Sequence, residues 1–133
     1  TKRFNMFGWI RYIFLFFLAC PFLALSHHSV ALNFTQEIVT VEGRIKDIKW
    51  INPHASFVLE VTNEAGEKED WLVELLATIA LRRGSFDFDA MTEQTEIKLT
   101  GFLGRQENTI DMTEAILPDG RVIVELPNNP YRR

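Results

Sequence analysis

The chain predicts an all-β fold, a small OB-like barrel of five or six strands with one short helix, and three observations carry that prediction. Apolar and polar residues alternate in successive short segments between residues 38 and 124. The alternation gives way once to a helical period, between Leu75 and Arg83, which ends at Gly84. Turn-forming groups divide the segments, chiefly Asn63-Glu64-Ala65-Gly66 and Pro118-Asp119-Gly120. Closing such strands into a barrel removes the free edges of a small sheet. A two-layer sandwich with the helix at one end is the alternative reading.

Each element has its own signature. Val39, Val41, Gly43 and Ile45 share one phase, which slips by one residue at Ile48 and Trp50, so a long first strand with a bulge near Lys46-Asp47 is expected. Asn52-Pro53 then interrupts pairing, because proline has no N–H and restricts the residue before it. Ala55, Phe57, Leu59 and Val61 form one face of a second strand, and Trp71, Val73 and Leu75 continue the pattern in a third. The helix over Leu75–Arg83 carries Arg82 and Arg83 in its last turn, where cations answer the helix dipole. Thr95, Ile97, Leu99 and Gly101 mark the next strand, followed by Ile110, Met112 and Ile116, then Val122-Ile123-Val124. The expected core contains Val41, Ile45, Phe57, Leu59, Trp71, Val73, Ile97 and Leu99.

A hydrophobic helix precedes this domain. Lys2, Arg3 and Arg11 form a positive region ahead of the apolar run Tyr12 to Leu25, and small residues follow Pro21, which is the grammar of a signal peptide cut after Ser26. The run falls short of the roughly 20 apolar residues of a membrane span unless Arg11 is included. An uncleaved anchor is the competing reading, and its charge would place residue 27 onward outside the cytoplasm. Both readings put the domain in the periplasm or on the periplasmic face of the inner membrane. Three parts are expected: residues 1–26 as signal peptide or anchor, 27–126 as the OB-like domain and 127–133 as a loose tail.

Composition narrows the function. Cys20, the single cysteine, lies in the leader, and Phe17-Leu18-Ala19-Cys20 is a poor acylation box. A domain beginning at residue 27 thus has neither disulfide nor thiolate chemistry. Removing the three cations of the leader from the 14 Lys and Arg leaves 11 against 18 acids, a net charge of −7. That balance repels phosphate backbones and anionic headgroups, so nucleic acid is not an expected partner, and the membrane is one only through residues 1–26. A cation, a metal ion or an envelope protein is.

His27, His28 and His54 are the whole imidazole inventory. A cut after Ser26 would free the amine of His27 beside its ring, and amine plus imidazole suit Cu(II), with zinc second. These three residues form the candidate metal set. Trp50 and Asn52, at the proline break, form a candidate groove. Glu60, Glu69, Asp70 and Glu74 read as solvent-side strand residues rather than a carboxylate pair across a cleft. Ser29 and Ser56 lack a partnered histidine and aspartate. No catalytic residue is assigned, and a non-enzymatic role is expected.

The order leader, His27-His28-Ser29, Val41-Glu42-Gly43, Trp50-Ile51-Asn52-Pro53-His54, a glycine-containing hairpin, Trp71-Leu72-Val73-Glu74 and Leu81-Arg82-Arg83-Gly84 resembles an exported bacterial family classed as a domain of unknown function. The resemblance implies export and the extent of the domain, and it brings no activity with it. Where similar chains keep an aspartate or glycine ahead of the fourth strand, this one has Met91-Thr92-Glu93-Gln94-Thr95. The leading functional expectation is an exported β-barrel binding module, copper-binding through the three histidines. A membrane-tethered accessory subunit docking on a larger envelope complex is the alternative.

Overall fold

The structure is a computed structural model, and it describes residues 33–126. The leader, Cys20, His27, His28 and the tail lie outside the described residues. Six strands follow in order: β1 (Phe34–Lys49), β2 (Ser56–Thr62), β3 (Lys68–Glu74), β4 (Glu96–Gly104), β5 (Thr109–Ile116) and β6 (Val122–Val124). Helix α1 (Thr78–Arg83) and a 3₁₀ turn (Phe88–Ala90) lie between β3 and β4.

β1 carries the architecture because it pairs on both sides. Its residues Gly43 and Arg44 face Val61 and Glu60 of β2 and, on the other flank, Ile97 and Glu96 of β4. The sheet order is β3-β2-β1-β4-β5-β6, and β3 also pairs with β5, in parallel, from Leu72↔Thr109 to Glu74↔Asp111. Hydrogen bonds thus run around a ring of five strands, with β6 attached outside it. This is the closure that the OB-like expectation requires.

The anticipated bulge is present. Register shifts between Lys46 and Lys49, where Asp47 takes a left-handed φ of 47°. The expected turns form too: Gly66 donates to the Asn63 carbonyl (2.9 Å), and Asn63 Oδ1 accepts from the N–H groups of Ala65 and Glu67. Gly120 donates to the Leu117 carbonyl at 2.9 Å. Ahead of β4, Gln94 occupies a left-handed φ of 70° that glycine would adopt at no steric cost. It sits in a turn closed by Thr95 N–H to the Thr92 carbonyl (3.2 Å), and its own N–H donates to the Ile45 carbonyl (2.9 Å).

Ile45, Phe57, Leu59, Val73, Ile97 and Leu99 are buried as expected, together with Leu75, Leu81, Phe86, Met91, Ile110, Met112, Ala115, Leu117 and Ile123. Two expectations need correction. Val41 and Trp71 are only partly buried and pack against that core from its rim. The Trp71 indole N–H is buried and meets no acceptor among the described residues. The helix also starts later than its period suggested, at Thr78. Leu75 and Leu76 extend strand pairing instead: Leu75 donates to the Ala55 carbonyl (2.9 Å), and Ala55 donates to that of Leu76 (3.2 Å).

Candidate functional site

The loop from Trp50 to Ala55 joins β1 to β2 and is pinned to the start of α1. Thr78 Oγ1 donates to the Ile51 carbonyl (2.8 Å), the Thr78 N–H reaches the same oxygen (3.3 Å), and the Ile79 N–H donates to Asn52 Oδ1 (3.3 Å). α1 has no side-chain cap of its own at Ala77. Asn52 therefore satisfies, from a distant loop, an N–H that a helix start leaves unpaired. The Asn52–Pro53 peptide is cis.

These bonds bring two exposed aliphatic residues to one place, Ile51 (53% exposed) and Ile79 (54%). Beside Ile51 stands the half-buried Trp50, whose ring meets Phe86 at 5.8 Å and Phe88 at 4.9 Å, both edge-on. Phe86 and Phe88 meet each other at 5.1 Å, and the Arg82 guanidinium lies 5.5 Å from the Phe88 ring centre. The helix end of the ring thus carries an aromatic cluster, two exposed isoleucines and the exposed cations Arg82 and Arg83.

Of the three histidines only His54 is described. It is exposed, two residues after the pinned Asn52. Among the described residues, no three His, Cys, Asp or Glu side chains gather into a set able to hold a metal ion. Trp50 and Asn52 belong to the cluster and its anchor.

The strand acids have defined occupations. Glu60 accepts from Lys68 (2.7 Å) and Lys46 (3.2 Å), and these two ammonium groups hold its carboxyl below the ordinary range. Lys46 also pairs with Asp70 at 2.9 Å, and Glu69 accepts from Asn63 Nδ2 at 2.7 Å. A general acid at neutral pH needs the opposite shift, so the Glu60 environment suits a permanent anion.

Glu125 escaped the sequence reading. It is fully buried, and its Oε1 accepts the Leu76 N–H at 2.7 Å, tying the chain after β6 to the linker before α1. Its signal was present: in Val122-Ile123-Val124-Glu125 the acid stands in phase with the buried Ile123. Phe86 and Phe88 were missed as well, although Phe86-Asp87-Phe88-Asp89 alternates.

Fold and site together define a small all-β domain of OB-like topology with an aromatic-aliphatic surface at its helix end. The chain belongs to the family of unknown function DUF6152, which matches residues 17–113. No curated protein and no solved structure matches it significantly.

Proposed function

We propose that the chain is an exported, non-enzymatic binding module of the cell envelope, and that the helix end of its ring docks on a protein partner. The observation that carries this reading is the anchoring of the Ile51 loop to the helix start that bears Ile79. Two aliphatic residues, each more than half exposed, stand on segments tied together by three hydrogen bonds. Preorganised apolar groups beside half-buried aromatics have the composition of an interface centre. Arg82 and Arg83 flank them, so the fitting partner offers an apolar face bordered by carboxylates. The leader, as signal peptide or as anchor, would deliver the domain to that partner.

A second reading is kept alive by the position of His54. It is an exposed imidazole within the pinned loop, and with the amine and ring of His27 and with His28 it would make a nitrogen site for copper, or less favourably for zinc. The docking reading is tested by the native size of the tagged full chain in gently solubilised envelopes. Ile79→Asp, at an exposed position where substitution changes stability by about 0.5 kcal/mol or less, should shift the protein from a larger assembly to its own size. An unchanged assembly would contradict docking through this face.

A further inference from the structure

Among the described residues, strand edge stays open along β6, in β3 ahead of Leu72 and at the start of β1. Ile45 donates its N–H to the Thr95 carbonyl and accepts from the Gln94 N–H, both at 2.9 Å, so its peptide groups point toward β4. Peptide direction alternates along a strand. Val39 and Val41 therefore point toward β4 as well, while Ile38, Thr40 and Glu42 point the other way. On that other side, pairing with β2 extends no further than Gly43↔Val61. The N–H and C=O groups of Ile38 and Thr40 lie on the open edge, beside an Ile38 side chain that is 63% exposed.

Charge selects what fits there. The β2–β3 hairpin tip follows directly from the point where pairing stops, and it bears Glu64, Glu67 and Glu69, while Glu37 stands beside Ile38. The cation of that tip, Lys68, is engaged by Glu60 at 2.7 Å, and Lys98 is engaged by Glu42 at 2.9 Å. All 18 acids of the chain but only nine of its cations fall within residues 33–126, a net charge of −9. A second copy laid along the same edge would set like charges against each other.

We infer that the β1 edge over Ile38–Glu42 accepts an extended basic segment of a partner protein as an added strand. Main-chain bonds to Ile38 and Thr40 would hold the segment, Ile38 would cover one of its apolar side chains, and its lysines or arginines would meet Glu37, Glu64 and Glu67. This edge lies toward the start of β1, whereas the Trp50 cluster follows its end, so the inference stands apart from the docking face.

The test uses the full chain and a synthetic peptide of alternating valine and lysine, with an alternating valine–glutamate peptide as control. The lysine peptide should slow hydrogen exchange at the Ile38 and Thr40 amides, and its binding should weaken as salt rises. Ile38→Lys, and separately Glu64→Lys with Glu67→Lys, should each weaken binding by about tenfold, a difference of about 1.4 kcal/mol. If a variant fails to fold, the two peptides and the salt series still decide the matter on the unaltered chain. Equal binding of both peptides, or no protection of the two amides, would overturn the inference. So would amides already protected without peptide, in a dimer because a second copy holds the edge or in a monomer because the chain's own segment does.

Discussion

Gly43→Ala is the sharpest perturbation of the ring. Gly43 sits where β1 pairs with β2 and β4 at once, and a Cβ there would overlap the Glu60 carbonyl oxygen, lying 2.9 Å from its carbon and 3.0 Å from Leu59 Cγ. Backbone cannot swing aside as a side-chain tip can, so β1 and β2 must part. Overpacking of this kind costs roughly 1–3 kcal/mol. Weakening the two ladder bonds beside it adds about 1 kcal/mol each, and the stiffer unfolded chain returns roughly 0.5–1 kcal/mol. The net loss is about 2–4 kcal/mol, and for a domain of roughly 90 residues the midpoint should fall by about 10–25 °C. Gly66→Ala is the matched control: its φ is +82° with open space around it, so only left-handed strain of about 1–2 kcal/mol applies. Thermal unfolding followed by circular dichroism compares the two. If Gly43→Ala is no more harmful than Gly66→Ala, the close approach of β1 and β2 is wrong.

Other outcomes follow from the same geometry. Trp50→Ala should lower stability by about 2–3 kcal/mol, since a half-buried indole gives up part of a full core truncation and two edge contacts; a urea midpoint equal to that of the unaltered chain would place the ring in solvent. Glu60 has a folded pKa held down by Lys68 and then Lys46. Its stabilisation is therefore complete above the unfolded value of about 4.3 and is lost as pH falls through the lower folded value. Melting temperatures from pH 6 to 2 should decline more steeply for the unaltered chain than for Glu60→Gln, and parallel curves would contradict the pairing. On the histidine reading, copper titration should find about one Cu(II) per chain beginning at His27, released on acidification because metal ligands must be deprotonated to bind. An added residue ahead of His27 should weaken uptake as clearly as His54→Ala, and equal affinity in all three proteins would leave the histidines without a shared site. Amino-terminal sequencing of the protein recovered from the envelope should find His27 first, and a retained leader would favour the tethered subunit.

The strands were legible because each buries one face, and one-sided burial writes a period of two into the sequence. Phe34 to Glu37 escaped because a register shift between Phe34 and Ile38 breaks that phase at the start of β1. Leu75-Leu76 read as helix because an apolar doublet fits a helical period locally. Their peptide groups are claimed by Ala55 and Glu125, partners far away in sequence that no local pattern reveals. Trp71 was assigned the inner face, as its pairing with Leu59 bears out, yet its place at the rim depends on where neighbouring strands end. Three residues of the motifs read in the sequence acquire physical reasons in the structure. Gly43 permits the approach of β2, Asn52 bonds the start of α1, and a side chain at Gly84 would overlap Leu126. The aromatic cluster stayed hidden because Trp50 and Phe88 are brought together only by the folded ring.

Docking through the helix end of the ring is tested most directly by a photocrosslinking residue placed there in the full chain within living cells. Positions 51 and 79 should both yield one adduct of the same mass, formed with a single envelope protein. Position 106, exposed in the loop between β4 and β5, should yield none. Adducts at 51 and 79 no stronger than at 106, or adducts at 51 and 79 that differ from each other, would contradict docking through that end.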